Sequence, residues 1–151
     1  MLSLTRLLSS SDRVEALENA VRDNPDVAMF IRMHDPGMAE TIFEAMLVSR
    51  DASWSTLAQV ACQTGSARCL RRLIASAHRH DALDDVITAL ILATTDEPAY
   101  FDEPCAVEKT IESASPLMGH VLGRVAIVVE DDGLDHTGIR FVHAPFLTVI
   151  Q

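Results

Sequence analysis

The side chains able to do chemistry fall in a few places along this chain. His78, His80 and Asp81 form an HxHD cluster that could hold a metal ion. Histidines two apart do not share one face of a helix, so joint ligation needs a strand or a loop. The cluster also sits at the end of an arginine-bearing helical stretch, where the helix dipole favours cations, and that is the reading taken. Glu130, Asp131, Asp132 and Asp135 could surround calcium, yet the order of acids and glycine and the closing glutamate of an EF-hand loop are missing. Cys105 could be a nucleophile with His120 or His143 as its base. Its neighbours Pro104 and Ala106 give it no activating charge, and the nearby acids would raise its pKa. Arg68, Arg71 and Arg72 lie on neighbouring turns of one helix and could face an anionic group or form a solvated face. There is no GxGxxG, no phosphate-binding GKS or GKT, no GxSxG and no paired CxxC. No catalytic residue, metal site or cofactor is therefore assigned.

The elements that would position these residues are clearest from Thr56 to Ile74, TLAQVACQTGSARCLRRLI. Ala58, Val60, Ala61 and Cys62 put small apolar residues on a first helix, and Ala67, Cys69, Leu70, Leu73 and Ile74 recur at helical spacing on a second. Gly65 between them can adopt the left-handed conformation that ends one helix and reverses the chain, and Ser66 can cap the next. The stretch resembles one ankyrin repeat. Thr56 matches the opening threonine of the TPLH-like start, Gln59 replaces the histidine, Ala61 and Cys62 replace the alanine pair, and Gly65 falls in register. Leu57 stands where proline is usual, and Arg72 where a leucine is common.

The neighbouring sequence repeats this pattern imperfectly. Thr88 follows Thr56 by 32 residues, and TALILAT places Leu90, Leu92 and Ala93 as a first helix would. DEPAYFDEP, from Asp96 to Pro104, replaces the glycine turn before AVEKTIESA can form a second helix. Upstream, Gly37 to Leu47 reads as a second helix with Met38, Ile42, Phe43, Met46 and Leu47 apolar, and Arg50 to Trp54 falls where a finger loop would come. Ser115, Pro116 and Leu117 mimic a further opening 27 residues after Thr88. Such spacing fits a divergent array or an all-helical bundle.

Elsewhere Ser11 can cap a helix running to about Asp23, broken by Asn24 and Pro25. A short helix follows from Pro25 to Met33, and Leu83 to Thr94 is another. Pro116 to about Val129 begins as helix, but Val125 to Val129 is β-branched enough for a strand. Glu130 to His136 reads as an acidic turn around Gly133. GIRFVH and FLTVIQ then suggest two short strands or an extended tail packed on the last helices, with Pro145 favouring an edge.

Length and composition fit one domain over residues 1–151. A chain of 151 residues can bury about 70% of the surface its unfolded form exposes. No charge-free run is long enough for a membrane span, and Asp12 and Arg13 interrupt the apolar start before a signal-like core is complete. The reading is cytoplasmic, with secretion into a host cell left open. Cys62, Cys69 and Cys105 are odd in number and read as small core residues rather than disulfide partners. Lys109 is the only lysine against eleven arginines; codon bias explains this, and a host-directed effector is the alternative. Residues 1–81 carry nine Arg and ten acids, a net of −1, whereas residues 82–151 carry three bases and twelve acids, a net of −9. That field disfavours nucleic acid and anionic membranes and could steer a basic partner.

The expectation is a mainly α protein, an irregular stack of antiparallel helix pairs (an ankyrin-like α-solenoid or helical bundle) with a short extended or β C-terminal tail. Its expected role is protein–protein interaction, as an effector or adaptor. The alternatives are a small acidic chaperone or immunity-type protein that masks a basic partner, and a Cys/His enzyme. The ankyrin resemblance implies a binding surface of finger loop and first-helix face, here Asp51, Ser53, Trp54, Gln59 and Gln63, with Arg68, Arg71 and Arg72 on the neighbouring helix. Trp54, the only tryptophan, is either an exposed anchor or packed between repeats.

Overall fold

Several of the helices begin and end on residues that local chemistry favours. The computed structural model describes residues 10–103, 106, 107, 109, 110, 125–131 and 137–143. Helix α1 spans Ser10–Asp23 and buries Val21. Asn24 and Pro25 end it, and the Asn24 side chain accepts from the Asp26 backbone N–H at 3.1 Å. Helix α2, Val27–His34, runs one residue past the predicted Met33. Helix α3, Pro36–Ser49, starts with proline in its first turn, where the missing N–H costs nothing, and Asp35 accepts from Met38 N–H at 3.1 Å. It ends on Arg50 in the left-handed conformation, φ 59°.

Helix α4, Trp54–Thr64, and helix α5, Ala67–Arg79, form the expected hairpin. Gly65 ends α4 at φ 63°, its N–H donating to Cys62 O, and Ser66 accepts from Cys69 N–H at 3.3 Å to open α5. Ser53 caps the start of α4, and Thr56 lies in the first turn with its N–H donating to Ser53 Oγ. Helix α6 spans Leu83–Ala93.

The helices stack as antiparallel pairs. Glu40 meets Ser66 and Glu44 meets Arg72, so α3 and α5 lie side by side and run the same way. Trp54 shares a groove with Asp85, and Gln59 and Gln63 share one with Leu92 and Ala93, so α4 and α6 also run in parallel. Helix α1 packs on α3, and α2 on α3 and α4. Ile42, Phe43, Met46, Leu57, Leu70, Leu73, Ile74 and Leu90 fill the interior. Each contributes about 1.5–3 kcal/mol of hydrophobic stabilisation. Among the described residues no helix is long and apolar enough to cross a membrane.

The expected β segment near the C-terminal end pairs into a sheet. Strands β1 (Ala99–Tyr100), β2 (Val125–Asp131) and β3 (Thr137–His143) form an antiparallel sheet in the order β1–β3–β2. In β3, Ile139 and Phe141 are buried while Arg140 and Val142, on the opposite face, are only half-buried, so the alternation of a half-covered strand holds over these four residues. The β-branched run Val125 to Val129 is strand, and so are Glu130 and Asp131, paired with Gly138 and Thr137 rather than opening an acidic turn. Asp96 to Glu103 is also more ordered than a long turn. It supplies β1 and the buried Phe101, Asp102 N–H donates to Gly65 O at 2.7 Å, and Ala67 N–H donates to Asp102 Oδ1 at 3.1 Å. Ala106, Val107, Lys109 and Thr110 are helical, as AVEKTIESA predicts for its first residues. The expectations on Cys105, Ser115 to Leu117, His120, Asp132, Asp135, Pro145 and FLTVIQ lie outside the described residues.

Candidate partner-binding face

The residues singled out in the sequence separate onto two faces. Trp54, Gln59 and Gln63 belong to the face of α4 that lies beside α6, whereas Arg68, Arg71 and Arg72 belong to α5 in the other layer. Arg50 to Ser53 is a tight connection between α3 and α4 rather than a projecting finger, and Trp54 is the first residue of α4. Ser53 spends its oxygen on the cap. Asp51 is held internally: Ser49 Oγ and Arg22 Nη2 each donate to its Oδ1 at 2.8 Å. The Ser49 hydroxyl, followed by the Arg22 charge, keeps the Asp51 carboxyl below its usual value despite an opposing desolvation effect. Arg22 also pairs with Glu18 and donates to Asn19, so this constellation ties the end of α1 to the α3–α4 connection. Asp51 and Ser53 are positioning residues of the stack.

Trp54 is half-buried, between the two readings offered by the sequence. The Arg50 guanidinium carbon lies 4.2 Å from its ring centroid, a cation–π distance, and the His80 ring stands 6.0 Å away at 48°. The left-handed turn at Arg50 aims that side chain back over the indole. From Trp54 two adjoining depressions follow the junction of α4 and α6, together forming a shallow groove. Ser53, Trp54, Ser55, Asp85, Thr88, Ala89 and Leu92 line the first, and Gln59, Cys62, Gln63, Leu92, Ala93 and Asp26 line the second, so that Leu92 stands at their border. Leu92 projects into both parts and is 69% exposed. Beyond Gln63 the groove narrows into a recess bounded by Met29, Arg32, Glu97 and Tyr100. Gln63 closes the junction by donating to Asp26 Oδ1 at 3.2 Å.

Two of the α5 arginines lie near acids of α3. Arg72 pairs with Glu44 on α3 at 2.9 Å, and Arg68 borders a depression shared with Glu40 and Glu44. Glu40 accepts from Ser66 Oγ at 2.8 Å. Arg72 thus links α5 to α3 at the surface, and the depression beside Arg68 is lined by carboxylates. Arg71 is exposed. His80 caps α5, its Nδ1 2.8 Å from Ser76 O, and Asp81 turns the chain at φ 53°. Among the described residues no three His, Cys, Asp or Glu side chains gather to hold a metal ion. Burial pushes the Cys62 thiol up to about 12 and the Cys69 thiol up to about 11, which disfavours the reactive thiolate of both at neutral pH.

Sequence reasoning missed Leu92, Met29 and Tyr100 as groove residues, and the exposed Phe30 and Met33 on α2. The segments VAMFIRMH and ITALILA are apolar on nearly every side, so periodicity does not say which residue is left outside. No known family, curated protein or solved structure matches this chain.

Proposed function

We propose that the protein is a binding module that receives a protein partner on the face formed by α4 and α6. One observation carries the reading: the groove between these parallel helices leaves Leu92 largely exposed beside a half-buried Trp54, in a stack whose other large apolar residues on α4 to α6 are mostly packed away. Open apolar anchors with a polar rim are where interfaces concentrate their energy. Parallel stacking of successive helix pairs and the left-handed Gly65 support the resemblance to ankyrin repeats, whose first helices supply the binding face. The partner site is then Trp54, Gln59 and Gln63, completed by Leu92 of α6. Arg68, Arg71 and Arg72 fall outside it.

Capture from the native source tests this reading. The unaltered chain is expected to retain a partner that Leu92→Asp and Trp54→Ala each lose and that Arg71→Ser keeps. Melting temperature should hold for Leu92→Asp, whose side chain is already in solvent. A partner retained equally by all variants, or lost only through Arg71→Ser, would move the site away from this face.

A further inference from the structure

The groove carries information about its occupant as well as its position, and this step rests on the reading of the α4–α6 face as the partner site. Its apolar floor is bracketed by carboxylates. Asp85 lies beside Trp54 at one end, and Asp26 and Glu97 lie at the other, around the recess that begins at Gln63. Asp85 and Glu97 make no ion pair with any described residue, and Asp26 accepts only from Gln63 among the described side chains. One cation, Arg32, borders the far end, with its guanidinium packed against the backbone at Gly65. The balance along the groove is acidic, in keeping with the net −9 of residues 82–151.

Spacing restricts the occupant further. Ala93 borders both the depression that holds Asp26 and the recess that holds Glu97, and it lies about 12 Å along α6 from Asp85, close to the roughly 11 Å of two helical turns. A third helix laid between two parallel helices seats its side chains in their groove, and on its own face residues two turns apart line up. The geometry points to a basic amphipathic helix as the occupant: two Lys or Arg residues two turns apart, facing Asp85 at one end and Asp26 with Glu97 at the other, with aliphatic side chains between them against Trp54, Ala89 and Leu92. A second copy of this chain would set acid against acid along the same line.

The probe is a synthetic amidated helix of about 18 residues, roughly 27 Å long, with leucine on one face and lysine flanking it. Its twin carries glutamate for lysine. Binding to the full chain is followed by calorimetry and by the fluorescence of Trp54, the sole tryptophan. The lysine helix should bind one to one and change Trp54 emission. Its affinity should fall about tenfold or more between roughly 0.05 M and 0.5 M salt, as screening shortens the Debye length. Leu92→Asp should weaken it about tenfold and Asp85→Asn about threefold, each a loss of the size expected for one anchor or one rim charge. The glutamate helix should not bind.

Binding of the lysine helix that is indifferent to both Leu92→Asp and Asp85→Asn would reduce the effect to bulk charge and overturn the assignment. Equal binding of the glutamate helix would overturn the basic occupant while leaving the groove as a partner site. So would the absence of binding by either helix, because capture of a native partner through Leu92 is read separately. Self-association abolished by Leu92→Asp would give the groove to a second copy and overturn the assignment as well.

Discussion

The backbone N–H of Phe141 donates to the hydroxyl of Thr94 at 2.9 Å, across 47 residues of sequence. Thr94 is buried and passes the chain of hydrogen bonds on, its hydroxyl donating to Leu90 O at 3.0 Å in the last turn of α6. Beside it Arg140 donates to the carbonyls of Thr94 and Thr95, placing a cation at the negative end of the helix. The sheet is thereby fastened to the helical stack at one helix terminus.

Thr94→Val keeps the shape of the side chain and removes the oxygen. The Phe141 N–H then has lost its acceptor in a buried site, which costs about 1–3 kcal/mol. For a domain of this size the melting temperature should fall by roughly 2–4 °C per kcal/mol. Thr94→Ser, which restores the acceptor, should recover most of the loss. Equal melting temperatures for the valine and serine variants would show that the hydroxyl does not hold the sheet.

Gly65 is constrained twice, by conformation and by space. Its φ of 63° costs an L-residue about 1–2 kcal/mol. A Cβ there would also lie 2.2 Å from the Arg32 guanidinium and 2.5 Å from the Tyr100 carbonyl oxygen. The arginine can swing aside; the backbone carbonyl of β1 cannot without disturbing the Asp102 to Gly65 hydrogen bond. Gly65→Ala should lose about 2 kcal/mol or more and Gly65→Val more still, measured by denaturant unfolding. Gly65→Asn, which tolerates the left-handed conformation, should lose nearly as much as alanine. A fully tolerated asparagine would show that the space is not limiting.

Gly65 and Ser66 were legible because glycine and serine act through their own backbone, within a few residues. The helices likewise follow from local period and caps, and β3 from its alternation of buried Ile139 and Phe141. What could not be read is set by partners distant in sequence. Arg72 looks like one of three free cations until Glu44, 28 residues earlier, is placed beside it. Asp96 to Glu103 has the composition of a loop, and only the tertiary hydrogen bonds to Gly65 and Ala67 make it a cap on α5. Leu92 is apolar in an apolar helix. Its exposure depends on what α4 and α6 leave between them.

The Asp51 constellation should appear in the acid limb of stability. A carboxyl whose folded pKa lies below its unfolded value stabilises the native state above the unfolded pKa, and that contribution disappears as pH falls through the folded value. For Asp51 the decline therefore falls at and below the ordinary value of 3.8. An NMR titration of the Asp51 carboxyl should give a midpoint below 3.8, moving upward in Ser49→Ala and also in Arg22→Met. A midpoint unchanged in Ser49→Ala would show that the hydroxyl is not what holds the carboxyl ionised.

The two described thiols give a readout of stack opening. Cys62 and Cys69 are free, buried, and raised by burial to about 12 and about 11, so little thiolate exists at pH 8 even where reagent could enter. In Cys105→Ala, native protein should leave both thiols unlabelled by an aromatic disulfide reagent on the timescale in which a free cysteine reacts fully. Both should react in denaturant. With the Gly65→Ala substitution added, labelling should accelerate in proportion to the population of opened molecules, about thirtyfold for a loss of roughly 2 kcal/mol when opening is fast and reversible. Rapid labelling of either thiol in the native Cys105→Ala protein would mean that the α4–α5 hairpin is not packed as described, because both Cys62 and Cys69 are buried in it.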